Sequence, residues 1–250
     1  PLPLTTHASY RLTDGVLSID AARARLPRTV VSFDGLINLD GPVSMRMALE
    51  SSDLRTLDSF FTQVRRRRGE QPTPLPLGLN GQGSFDVPIR GVRDRLELDG
   101  RLTTTNLLVR NNPLGDVSGS VRLSGALLEI ENLLVIRGTG RAEGRASIRI
   151  GETVEAIERD YEVQLGLFEY PLELRLPPRR APLSIIGAAT GSAQIAGDFG
   201  EPPTGQLIVS AEEVGLNGIG PFHAEGRIRM EENAWFADQL LLDGEAGSIA

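Results

Sequence analysis

The chain has no cysteine and no lysine, and only 5% of its residues are aromatic. The first absence removes disulfide frameworks, thiolate metal sites and cysteine nucleophiles together. The second removes any Walker-type phosphate loop, whose lysine reaches the phosphates; a coding bias is its simplest explanation, and no function follows from it. Positive charge rests on 26 arginines against 33 acidic residues, a net charge of −7 that argues against nucleic acid as a partner. Long apolar runs are also missing. None approaches the roughly 18 residues of a membrane span, and the start, "PLPLTTHASY", has neither the charged beginning nor the apolar middle of a signal peptide. With no initiator methionine and a last stretch, "LLLDGEAGSIA", that stops in mid-alternation, the expectation is an interior piece of a longer protein rather than a cytoplasmic one.

What the chain does have is glycine, proline and alternation. Its 250 residues allow one or two domains with sizeable cores, and 28 Gly with 16 Pro favour strands and turns over helices. "RAEGRASIRI", from Arg141 to Ile150, places Arg141, Glu143, Arg145, Ser147 and Arg149 on one parity and Ala142, Gly144, Ala146, Ile148 and Ile150 on the other. That pattern is a half-buried strand. Asp-Gly pairs at 14–15, 34–35, 40–41, 99–100 and 243–244, with Asn-Gly at 80–81 and 217–218, read as tight turns between short strands.

A repeat underlies the pattern. At one constant offset "DVSGSVRLSGALLEIENLLV" lies over "HAEGRIRMEENAWFADQLLL", matching Gly119 to Gly226, Val121 to Ile228, Leu123 to Met230, Leu133 to Leu240 and Val135 to Leu242. A more worn copy fits the N-terminal "ASYRLTDGVLSIDAARA". One stretch departs from it: in "SSDLRTLDSFFTQVRRRRGEQ", Leu54, Leu57, Phe60 or Phe61, and Val64 recur at helical spacing. Ser52 or Asp53 can cap the first N–H groups, and Arg65 to Arg68 suit the C-terminal end of the dipole. The expectation is one short amphipathic helix near 53–67. Pro-rich "QPTPLPLG" and "LPPRRAPL" then divide the chain into β modules at 1–50, 79–150 and 184–250, a helix and connector at 51–78, and a less typical β segment with its connector at 151–183.

No catalytic constellation emerges. Gly-x-Ser-x-Gly does not occur, and His7 and His223 sit in strand contexts as structural residues. "GTGRAEG" leads into a strand and reads as a turn. Glu129 and Glu131 share a strand face, as exposed faces routinely allow, and the arginine run reads as a solvated helix end before a phosphate or lipid-headgroup site. The expectation is a non-enzyme with no cofactor and no metal. Aliphatic stripes remain. Strands added along one axis have no second layer, so their sheet must curl upon itself, and incomplete curling leaves an apolar trough.

"GQGSFDVPIRGVRDRLELDGRLTTTNLLV" and "GDVSGSVRLSGALLEIENLLVIRGTGRAEGRASIRI", preceded by "MRMALESSDLRTLDSFF", resemble the AsmA-like proteins and among them the TamB type. The resemblance covers most of 8–150 and resumes over 187–250. It implies an all-β, elongated, rolled repeat sheet in a periplasmic protein anchored in the inner membrane, with phospholipid carried between membranes in an apolar groove and an Omp85-class outer-membrane barrel as partner, through regions other than this one. Groove-lining candidates are Val87, Ile89, Leu96, Leu98, Val121, Leu123, Leu128, Ile130, Ala146, Ile148, Ile150, Ile228, Met230 and Trp235. Two other readings stand beside this one: a periplasmic scaffold offering sheet edges to outer-membrane proteins, and, third, an extracellular β-solenoid acting on polysaccharide.

Overall fold

A pleated strand sends successive side chains to opposite faces, and alternation as sustained as this yields a chain that is almost wholly strand. The computed structural model describes residues 4–57, 59, 78–92, 95–109, 112–124, 127–149, 160–176, 183–198, 203–217, 219–231, 234–244 and 247–249. The strands are β1 (Thr5–Thr13), β2 (Val16–Leu26), β3 (Thr29–Asn38), β4 (Pro42–Ser51), β5 (Leu79–Val92), β6 (Arg95–Val109), β7 (Asn112–Ser124), β8 (Leu127–Arg137), β9 (Gly140–Arg149), β10 (Tyr161–Leu176), β11 (Leu183–Gly197), β12 (Thr204–Leu216), β13 (Ile219–Glu231), β14 (Ala234–Gly244) and β15 (Gly247–Ile249). They follow one another in a single sheet in chain order. A helical turn at 55–57 begins the expected helix. The rest of that helix, with Arg65 to Arg68, and the connector residues 71–77 and 177–182 lie outside the described residues.

The chain divides into two compact units between Asn132 and Leu133, inside β8. In the first, the antiparallel register sets side chains in rows: Phe33, Met47 and Val87 on β3 to β5, and Met45, Ile89, Leu98 and Leu123 on β4 to β7. Val43, Val87, Val117 and Val121 on this face are buried. The opposite face carries exposed Asp34, Arg46, Asp86, Arg101 and Arg122, and Arg46 Nε donates to Asp86 at 2.8 Å. In the second unit, Ala189, Ala211, Val214, Ala224 and Leu242 form a buried cluster with Val209 and Leu240 packed against it. Its outer face is polar, with Arg145 donating to Gln164 at 2.8 and 3.0 Å, and Gln194 to Glu162 at 3.1 Å. A single sheet supplies no opposing layer, so within each unit a face this well covered is a concave one. The all-β class and the curled sheet expected from the sequence are what the chain forms.

Long strands stay one-sided here through β-bulges. Asp20 is an extra residue of β2 against both β1 and β3, Asn106 of β6 against β5 and β7, and Glu213 of β12 against β11 and β13. Register also shifts at Glu169 in β10 and Asp238 in β14. Asn106, Asn132, Glu169 and Glu213 have φ between 49° and 55°, the left-handed region that bulges use and that Asn tolerates best. Each bulge reverses the parity of the inner face. Buried Leu207 and Ala211, on odd numbers, give way past Glu213 to buried Val214. Without the extra residue, one slip would turn every later side chain outward.

Asp-Gly pairs do two different jobs, which corrects their uniform reading as turns. Asp14-Gly15 and Asp40-Gly41 occupy the turns after β1 and β3, but Asp34-Gly35, Asn80-Gly81 and Asp99-Gly100 lie inside strands. Gly100 is there for closeness: a Cβ on it would stand 2.5 Å from the Asp86 carbonyl oxygen and 2.6 Å from Val87 Cβ. Glycine inside a strand marks such an approach.

Two outcomes follow for urea unfolding. Gly100→Val overpacks the inner face and lowers stability by about 1–3 kcal/mol; an unchanged midpoint would contradict the close approach. Deleting Glu213 turns buried Val214 outward and costs roughly 1.5–3 kcal/mol, whereas Glu213→Gly, which keeps the bulge, stays within about 1 kcal/mol of the parent.

Candidate functional site

The inner face gathers most of the sequence-predicted groove residues. Val87 and Val121 are buried on β5 and β7, and Ile89, Leu96, Leu98 and Leu123 are half-buried beside them. Ile89 lies opposite Leu98, and Leu98 opposite Leu123. Leu128 and Ile130, on the part of β8 belonging to the first unit, are half-buried. In the second unit Ala146, Ile228 and Met230 are buried and Ile148 is half-buried. Trp235 pairs in register with Met230; its side chain, and Ile150 altogether, lie outside the described residues. The repeat equivalences hold within each unit: Val121 and Ile228 face inward, as do Val135 and Leu242.

The two inner faces differ in the space they leave. Leu17, Ile37, Val43, Met45, Ile89 and Leu96 in the first unit line a cavity of about 430 Å³ in which Asn38 is the sole polar residue. Ligand pockets commonly fall in the range of about 300–1,000 Å³. In the second unit Ala189, Val209, Ala211, Val214 and Ala224 enclose a slot of about 40 Å³, room for little more than a water. Sequence reasoning missed Leu17, Ile37, Val43 and Met45 because they belong to the most worn copy of the repeat. The alternation of Met45, Met47 and Leu49 in "MRMALE" was the available signal.

A second feature was missed. The buried polar side chains among the described residues are Thr29, Ser51, Asp53 and Thr104, and all four lie at one end of β3 to β6. Register places Thr29, Ser51, Gly83 and Thr104 in one inner row. Thr29 Oγ1 and Ser51 Oγ share a hydrogen bond of 2.8 Å, and the Asp53 amide donates to Ser51 Oγ at 3.3 Å. Asp53 caps the helical turn as expected, its Oδ1 accepting from the Arg55 amide at 3.1 Å. The same carboxylate accepts from Arg55 Nε at 2.9 Å and Nη2 at 2.7 Å, and from Arg28 Nη1 at 3.1 Å. These charge-assisted bonds, Arg55 foremost, hold the Asp53 carboxyl down at about 2.

Among the described residues no group of three or more His, Cys, Asp or Glu is placed to hold a metal. His7 is exposed, and His223 Nε2 lies 3.3 Å from Glu225. Glu131 lies 4.0 Å from Arg122, as an ordinary exposed strand pair does. Gly138 and Thr139 form the turn read from "GTGRAEG", which leads into β9. No described helix is long and apolar enough to cross a membrane. No family profile, curated protein or solved structure matches the chain.

Because the Asp53 carboxyl sits below its unfolded value of 3.8, it stabilises the fold above that pH, and the contribution fades as pH falls from about 4 toward 2. Asp53→Asn therefore lowers stability at pH 7, and the difference from the parent shrinks through that acid window. Urea midpoints of both proteins between pH 7 and 2 check it; a gap that stays constant would refute the assignment.

Proposed function

We propose that the chain shields the acyl chains of phospholipid on the inner face of its sheet, as one segment of a periplasmic protein that carries lipid between the inner and outer membranes. The observation that carries this reading is the aliphatic cavity of about 430 Å³ in the first unit. Each methylene moved there from water gains roughly 0.8 kcal/mol, and a face without fixed polar anchors gives the chain no reason to stop at one position. Asn38 is the one lining residue able to hold a polar group. The polar outer face keeps such a segment in water, and the reading requires no catalytic group.

Resemblance to the AsmA-like proteins supports the same conclusion and extends it to an inner-membrane anchor and an Omp85-class outer-membrane partner elsewhere in the protein. The second unit tempers the reading in a useful way. A slot of about 40 Å³ such as that among Ala189, Ala211 and Val214 does not take an acyl chain, so the cavity of the first unit is the lipid site proposed.

Photocrosslinking residues placed one at a time on the two faces test the proposal with phospholipid vesicles. Positions 89 and 96, on the cavity, label lipid; positions 90 and 97, exposed on the outer face, do not. Equal labelling of both pairs would defeat the reading.

A further inference from the structure

This inference rests on the acyl-chain reading of the inner face and concerns its regulation. Beyond Ser51 the chain leaves β4 and folds back over the ends of β5 and β6. The Ser52 amide donates to the Arg28 carbonyl and the Leu54 amide to the Gly81 carbonyl, each at 2.9 Å. Gly81, at φ 119°, stands opposite the Asn106 bulge. Leu54 and Leu57 are buried, and Leu54 Cδ2 occupies the place a side chain at Gly83 would take, 3.1 Å from where its Cβ would be. Leu54 thus covers the inner face where the strands end, and Leu57 is buried in the helical turn that follows it.

We infer that residues 52–57 are a latched cover over this edge of the inner face, and that release of the Asp53 latch admits acyl chains there. Its two kinds of contact have different consequences. Leu54 lies over Gly83 beside the Thr104 methyl, and an acyl methylene in its place meets the same surface, an exchange that costs little. What opposes opening, beyond the two backbone bonds, is the Asp53–Arg28 ion pair; Arg55 rides on the cover with Asp53 and holds that carboxylate in place. Both arginines are more than half exposed, and Arg28 lines a cleft of about 640 Å³ with Arg25, Glu50, Ser52 and Gln82. Water and salt therefore reach the clasp from outside, while Leu54, which it holds, faces inward. The four buried polar side chains gather where the cover hinges, as a hydrogen-bonded latch requires.

Stopped-flow uptake of a BODIPY-labelled fatty acid by the intact 250-residue chain tests the inference. Asp53→Asn raises the association rate roughly tenfold, the scale of a charge-assisted hydrogen bond discounted for exposed partners. Salt accelerates uptake by the parent and no longer does so in the variant. Arg28→Gln, which removes the arginine on the sheet side of the clasp, gives a smaller rise in the same direction and serves if Asp53→Asn fails to fold. Hydrogen exchange at the Leu54 amide quickens in both variants while that of Leu102 in β6 does not. Faster exchange at Leu54 with unchanged uptake would overturn the cover and leave the acyl-chain reading standing. No uptake by parent or variants would overturn both.

Discussion

A single β-sheet with one apolar face has nothing to lay against it, and the rest of this structure depends on that constraint. Two-sheet proteins bury such a face against a second layer. Here the described strands belong to one sheet, so cover comes from curvature within each unit. Side chains on the concave side converge, and the positions that tolerate convergence are small. Ala142, Ala146, Ala189, Ala211 and Ala224 are buried there, and a Cβ on Gly144 would lie 1.8 Å from the Gln164 carbonyl oxygen. The scarcity of aromatic residues belongs to the same requirement, since large rings would hold the sheet open.

Curvature also bends long strands away from simple alternation, and the bulges restore it. A strand of 16 residues such as β10 cannot keep one straight face inward while the sheet coils. An extra residue increases local twist and bend, and the price is a left-handed or unpaired position. Asp20, Asn106, Glu169, Glu213 and Asp238 fill these positions, and all are exposed. Their chemistry is consistent: a short acidic or amide side chain tolerates the backbone and keeps its polar end in water. Each therefore serves the inner face without touching it.

Much of this was legible in the sequence, and the exceptions have physical causes. Faultless alternation from Arg141 to Arg149 identified Ala142 and Ala146 as inward, because a strand with no bulge maps parity directly onto face. The match of Val121 to Ile228 was legible because each lies in an unbroken alternating run, "SGSVRLSG" and "EGRIRM". In "EIENLLVI" Asn132 reads as the end of a strand, for two polar neighbours followed by two apolar ones break the period that marks a strand, yet it lies inside β8 at φ 51°. Asp99-Gly100 read as a turn because the dipeptide permits one; the neighbouring Val87, distant in sequence, makes it a point of close approach instead. Asp53 was recognised as a cap, but its clasp with Arg28 joins residues that only the pairing of β3 with β4 brings together.

Parity and volume answer different questions. Parity says which face is covered, and it says so equally for Ile89 and for Ala189. Whether that covered face is a sealed core or a groove depends on side-chain size. Where small side chains dominate, as around Ala189, Ala211 and Ala224, the slot between them is about 40 Å³. Where Leu17, Ile37, Met45 and Ile89 stand on the same face, their bulk keeps the backbone apart, and the gap between them reaches about 430 Å³. Close packing is the default of protein interiors, and an apolar void forfeits contacts along its whole lining. A hollow of about 430 Å³ in the first unit is therefore a departure from close packing on a face that elsewhere is closely covered.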